Sequence, residues 1–196
     1  SNILSAEGRA MLAESFPEIR TLSGVFLKED YEYEQEFCVS DDGIVELPGI
    51  ISGAILDPYL RWAAFNELSF QYVNSHFIHP DDVLDEDRGA ALGWNTLRDN
   101  LDGYMDWLYG AAPGLRNQTA AEASRAVQRY DCLTVDRTLE NGVYRLNLQG
   151  FADEAYLLLR LDGRCQKITG GSLEQVNGSL YVLRATAPEV TVVLAS

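Results

Sequence analysis

Positive charge is scarce in this sequence. Against 30 Asp and Glu stand 15 Lys and Arg, a formal net charge of −15, and a surface of that sign repels both a phosphate backbone and an anionic membrane. Neither nucleic acid nor a membrane surface is therefore expected as a partner of this segment, whereas a neutral, cationic or sugar-like partner is. Long apolar runs are missing as well. None reaches the ~18 residues of a spanning helix, and no basic-then-apolar pattern opens the chain. Cysteine is sparse: Cys38, Cys132 and Cys165 are odd in number and widely spaced, with no CxxC pair, which gives neither a disulfide framework nor a thiolate zinc site and leaves the compartment unspecified. A starting Met is absent too. Ser1-Asn2 looks like the remnant of a cleaved tag, so the chain is expected to be an excised piece of a longer protein. Histidine is the rarest chemistry-bearing residue, and both copies, His76 and His79, fall in one stretch.

The apolar pattern divides the chain in two. Ser5 is placed to cap a helix through about Phe16, with Pro17 marking its end. Ile19 to Leu27 reads as a strand, Lys28 to Asp42 as an acidic, aromatic loop or small hairpin, and Ile44 to Ile51 as a strand bent by Pro48-Gly49. Asp57-Pro58 starts a helix running to about Phe70, in which Tyr59, Trp62, Phe65 and Leu68 recur near helical spacing. Tyr72 to Ile78 reads as a strand. Trp94, Leu97, Leu101, Met105 and Leu108 mark an amphipathic helix, with Trp94 expected in the core. Pro113-Gly114 ends that helix, and Thr119 with Glu122 forms a capping box for the next, which runs to about Tyr130. From Asp131 the pattern changes to short alternating apolar runs such as Tyr144, Leu146, Leu148 and Val190, Val192, Leu194. These are separated by Asn141-Gly142, Asp162-Gly163, Gly170-Gly171 and Asn177-Gly178, which read as hairpin turns.

The expected fold is thus α/β followed by all-β. Residues 1–130 form a partial (β/α) barrel-like region, with too few strands for a closed eight-stranded barrel of about 200 residues or more. Residues 131–196 form a small antiparallel β-sandwich. Strand edges left open by a partial barrel predict either self-association, as a homo-oligomer, or covering of those edges by the sandwich.

Chemistry concentrates in Tyr72 to Gly89, where the two histidines end an apolar run and five carboxylates follow within Asp81 to Asp87. In a βα layout functional groups sit where strands end. His76 and His79 there can serve as general acid or base or as metal ligands, with Asp81 and Asp82 orienting them or binding metal. The same residues also read as a capped turn, with Asp85, Glu86 and Asp87 at the start of a helix near Ala90. Asp85-x-Asp87-x-Gly89 lacks the remaining ligands of a calcium loop. Glu36 and Ser52 fall near strand ends and are further candidates, against the reading of an exposed loop and an ordinary turn. Tyr31 and Tyr33 are candidate platforms for stacking on sugar rings.

Gln35-Glu36-Phe37, the run from Ser75 to Gly89, Gly93-Trp94, Ala112 to Arg116 and the helix start at Thr119 together resemble the C-terminal part of a large uncharacterised bacterial family. That family is found with exopolysaccharide genes, and its members carry a polysaccharide-deacetylase-like (β/α) barrel. The resemblance implies an extracellular or cell-envelope location and a polysaccharide substrate. In polysaccharide deacetylases a divalent, zinc-like metal held by an Asp and two His of early strands activates water against an acetyl carbonyl. A late-strand His then protonates the leaving group. His76 looks like that histidine, with His79 as the alternative. The early-strand motifs are not in this chain, so the metal is expected only in the full-length protein and the fragment alone is expected to be inactive. Two other readings remain open. One is a glycoside hydrolase or lyase pairing Asp81 or Asp82 with Glu36 across about 5–10 Å, and the other is a non-catalytic glycan-binding or assembly module.

Overall fold

The computed structural model describes residues 3–28, 32–34, 36–55 and 57–195. The chain divides into two compact units, residues 1–124 and 125–196. The first mixes helices with small sheets, the second is mostly antiparallel sheet, and no closed barrel forms among the described residues.

In the first unit each long strand expected from the sequence is broken into short pieces. Ile19 to Leu27 gives β2 (Thr21–Leu22) and β3 (Val25–Lys28), preceded by β1 (Ile3–Leu4). The acidic segment contributes β4 (Glu32–Glu34) and β5 (Cys38–Val39). Pro48-Gly49 splits the next run into β6 (Val45–Glu46) and β7 (Ile51–Ser52). These pair as β1-β3-β4 and β2-β6-β5. Ser5 caps α1 (Ala6–Ser15), its side chain accepting from the Gly8 amide at 3.1 Å. Arg9 of α1 is buried and donates to both Asp42 carboxylate oxygens at 2.8 Å and to the buried Glu46 of β6, which also accepts from Ser40. One guanidinium thereby satisfies a buried carboxylate and ties α1 to the sheet.

Asp57 caps α2 (Pro58–Asn66) by accepting from the Leu60 amide at 2.8 Å, with Pro58 in the first turn where its missing N–H costs nothing. The helix widens into one π-turn over Glu67–Gln71 and stops at Tyr72, whose φ is 58°. Its buried stripe is Leu60, Ala63, Ala64 and Glu67; Tyr59, Trp62 and Phe65 point outward, 60–70% exposed. This corrects the aromatic stripe read from the sequence. Leu60, Ala63 and Ala64 of α2 share one core with Ile51 of β7 and with Tyr104 and Leu108 of α3 (Gly93–Ala111). Trp94, expected in that core, is 60% exposed at the first turn of α3. After Pro113-Gly114, Glu122 accepts from both the amide and the hydroxyl of Thr119 at 2.8 Å, the capping box that opens α4 (Ala120–Cys132).

The second unit comprises β9 (Thr134–Glu140), β10 (Val143–Gln149), β11 (Ala155–Arg160), β12 (Cys165–Thr169), β13 (Gly171–Asn177), β14 (Leu180–Ala185) and β15 (Glu189–Leu194). They form two antiparallel sheets, ordered β12-β15-β10-β9 and β11-β14-β13. Leu146 and Leu148 of one sheet, Leu183 and Ala185 of the other, and Val190 and Val192 share one core. The alternation of β10 and β15 produces this, since side chains of period two reach a single face. Only Asn141-Gly142 and Asn177-Gly178 turn hairpins, joining β9 to β10 and β13 to β14. Asp162-Gly163 and Gly170-Gly171 instead pass the chain from one sheet to the other, because β12 pairs with β15 and not with β11 or β13.

Candidate functional site

The site rests on one βαβ unit. β7 and β8 (His76–Phe77) pair in parallel, Ile51 opposite His76 and Ser52 opposite Phe77, and a parallel pair requires a crossover, here α2. Gly53, at φ +81°, turns the chain out of β7 and donates to the Phe77 carbonyl at 3.0 Å. The Gly53 carbonyl in turn lies 2.7 Å from His76 Nε2. A carbonyl only accepts, so Nε2 carries the proton and Nδ1 keeps its lone pair. Nδ1 is buried and has no hydrogen-bond partner. The ring is half-buried against Tyr104, with centroids 4.8 Å apart, and burial holds its pKa below the usual histidine value. His76 is a neutral imidazole fixed in place.

His79 is placed differently. It follows the strand, immediately before the 3₁₀ turn Pro80–Val83, and its side chain is 43% exposed. Phe77 meets its ring edge-on, centroids 5.1 Å apart. Asp82, by contrast, is buried, and its Oδ1 lies 3.8 Å from His79 Nδ1 and 3.2 Å from Arg88 Nη1, neither approach having hydrogen-bond geometry. Arg88 gathers the acidic segment around itself. Its Nε donates to Asp85 Oδ2 at 2.7 Å, and its Nη2 lies 3.6 Å from the exposed Asp81. That bond to Arg88 holds the Asp85 carboxyl below its ordinary range. Asp85 also caps its own turn by accepting from the Asp87 amide at 2.9 Å. The turn reading and the site reading of Asp81 to Asp87 thus describe the same residues: Arg88 and Asp85 build the turn, and the turn presents Asp82 to His79.

A third feature lies behind β8. Glu67, on the buried stripe of α2, is 3% exposed. Its Oε2 accepts from Asn74 Nδ2 at 2.9 Å and from the Ser75 amide at 3.1 Å, while Oε1 is buried without a hydrogen-bond partner. Tyr104 of α3 donates its hydroxyl to Asn74 Oδ1 at 3.2 Å. Burial pushes the Glu67 carboxyl up to about 8, its two hydrogen bonds offsetting only part of the rise, and burial also raises the Tyr104 phenol.

The remaining candidates separate from this group. Glu36 is exposed and lines a cleft with Arg9, Cys38, Asp41 and Asp42 that none of His76, His79, Asp81 or Asp82 lines. Ser52 is exposed on β7, beside Gly53. Tyr31 and the side chain of Tyr33 lie outside the described residues. No group of three His, Cys, Asp or Glu among the described residues could hold a metal ion, and the guanidinium of Arg88 already lies on Asp81, Asp82 and Asp85. The residues present therefore do not fit a divalent metal by themselves.

Glu67, Asn74, Tyr104 and Arg88 were missed by sequence reasoning. Glu67 was detectable: a carboxylate continuing the stripe Leu60, Ala63, Ala64 has to be buried, once the small residues rather than the aromatics are taken as the inner face. Asn74 and Tyr104 carry no such signal, because only the fold joins them. Among the described residues no helix is long and apolar enough to cross a membrane. Comparison with curated proteins and with solved structures finds no match. The family model described as "Uncharacterised protein conserved in bacteria (DUF2194)" matches residues 1–182, and the chain belongs to that family.

Proposed function

We propose that this chain is the C-terminal part of an extracellular or envelope-located, deacetylase-like protein that removes N- or O-acetyl groups from an exopolysaccharide, and that it supplies the leaving-group side of the site. The βαβ unit β7-α2-β8 is taken as the closing portion of a deacetylase-like barrel. The carrying observation is the pairing of an exposed imidazole, His79, with a buried carboxylate, Asp82, whose Oδ1 faces Nδ1 at 3.8 Å. Such contacts are often long before substrate binds. With Nδ1 turned to Asp82, Nε2 is left to solvent. As water adds to the acetyl carbonyl and the C–N or C–O bond breaks, the His79 imidazolium gives its proton to the departing nitrogen or oxygen, and acetate and the free amine or hydroxyl result. Asp82 acts through His79 as a positioning residue. His76, whose Nε2 is engaged by Gly53, anchors the strand. On this reading the water-activating groups implied by the resemblance come from the rest of the full-length protein, and this segment alone is expected to be inactive. The test is acetate release from acetylated exopolysaccharide by the full-length protein. Release is expected, and its absence on every acetylated glycan tried rejects the reading.

A second reading, a non-catalytic glycan-binding module, is favoured by α2. Tyr59 and Trp62 are 70% and 60% exposed with ring centroids 5.7 Å apart, a surface on which sugar rings can stack. Trp62→Ala is expected to weaken retention of the protein on immobilised exopolysaccharide about tenfold, for a contact of about 1.4 kcal/mol. Unchanged retention contradicts this reading and leaves the first intact.

A further inference from the structure

We propose that Glu67 is a positioning residue, held as a neutral carboxylic acid that sets the place of the histidine strand through Asn74 and Ser75, and that its ionisation releases that strand. This rests on the reading of β8 as the functional strand, but its geometry stands apart from any activity.

The two donors that reach Glu67, Asn74 Nδ2 and the Ser75 amide, belong to the two residues immediately before His76, and both bind Oε2. The Tyr104 hydroxyl donates to Asn74 Oδ1, which fixes the orientation of that amide and points its N–H at Glu67. Every donor therefore converges on one carboxyl oxygen. Oε1 is buried without a partner, and since Oε2 already accepts two hydrogen bonds, the proton of the neutral acid is assigned to Oε1. On the other side of the same assembly, His76 rests on Tyr104 and reaches Gly53. Glu67 thus holds the start of β8 from below while Gly53 holds its side chain from the edge.

The surroundings of Glu67 decide its charge. From the segment before β8 come Asn74 and Ser75, from α3 comes the Tyr104 phenol, and from β8 the neutral His76. Arg61, on the same helix, is directed at the Trp107 ring, 5.8 Å from its centroid. Among the described residues no ion pair reaches Glu67, so a negative charge there would be buried with hydrogen bonds to one oxygen only. Such a charge draws water or moves outward, and Asn74 and Ser75 are what it carries with it. Burial raises the carboxyl to about 8, which places the transition just above neutral pH.

The experiment is a pH titration of the 196-residue chain by NMR, following the Ser75 amide, the Asn74 side-chain amide and the Glu67 carboxyl carbon. The expected result is one shared step centred near pH 8 in the wild type, absent in Glu67→Gln, whose amide oxygen still accepts from Asn74 and Ser75. A Glu67 carboxyl midpoint near the ordinary 4.5 overturns the proposal. So does a Ser75 amide that does not move between about pH 6 and 9.5, or a step that persists in Glu67→Gln. If Glu67→Gln does not fold, the wild-type carboxyl midpoint and the Ser75 shift decide alone. No glycan turnover enters these readings, so their failure leaves the deacetylase reading standing and its failure leaves them standing.

Discussion

At the scale of single residues, two buried carboxyls differ in what reaches them. Glu46 is buried with a guanidinium and a hydroxyl against it, while Glu67 is buried with two neutral donors on one oxygen. Desolvation dominates at Glu67, so the folded state holds a proton that the unfolded state has lost, over the window between 4.5 and about 8. The sign follows: with fewer protons bound in the unfolded chain, stability is highest below 4.5 and falls as pH rises towards 8. The slope is at most about 1.4 kcal/mol per pH unit, discounted by whatever water enters the site. His76 acts oppositely, since its folded pKa is depressed and its contribution is lost as pH falls below 6.5. Denaturant melts of the first unit, followed by Trp62, Trp94 and Trp107, are expected to show the loss between pH 6.5 and 8 in the wild type and a flat profile in Glu67→Gln. A flat wild-type profile contradicts the neutral acid.

At the scale of elements, turns decide how the second unit is wired, and they were only half legible. Asn141-Gly142, with φ of 51° and 75°, closes the β9–β10 hairpin as its composition announces. Gly170, at φ +78°, uses the same freedom to pass from one sheet to the other. Turn chemistry fixes where the chain bends, whereas long-range pairing decides which strand it meets next. The two sites should therefore differ on substitution. A Cβ at Gly142 meets nothing within 4 Å, so Gly142→Ala costs only the strained φ, about 1 kcal/mol. A Cβ at Gly170 would stand 2.1 Å from the Glu189 carbonyl oxygen, so Gly170→Ala must displace β15 and is expected to cost about 3 kcal/mol or more. Urea denaturation read by far-UV circular dichroism compares them, and equal losses would contradict the crossing geometry. The starts of α1, α2 and α4 were legible, because Ser5, Asp57 and Thr119 cap their helices by local hydrogen bonds that sequence alone specifies. That of α3 was not, since the helix begins at Gly93 without a side-chain cap rather than near Ala90 behind Asp85, Glu86 and Asp87, and Asp85 caps a separate turn. Strand lengths were not: Ile19 to Leu27 and Tyr72 to Ile78 are apolar enough for one strand each, but only the residues that find a partner become one.

At the scale of the whole molecule, the sequence shows where the candidate residues gather but not which of them packs and which stays exposed. The run from Tyr72 to Gly89 does hold a histidine at a strand end beside a carboxylate, yet the strand histidine is the packed one and the exposed imidazole is His79. Exposure is a property of packing against Tyr104, 28 residues beyond His76 in the chain, and sequence spacing does not carry it. The expected homo-oligomer through open strand edges and the polysaccharide partner remain proposals of the same reading. Its central claim is that His79 transfers a proton during acetyl removal, and general acid catalysis of that kind is worth about 10²- to 10⁴-fold. Acetate release by the full-length protein, compared between wild type and His79→Ala at equal folded concentration, measures it most directly. A fall in kcat of about a hundredfold or more is predicted; unchanged turnover in His79→Ala would contradict it.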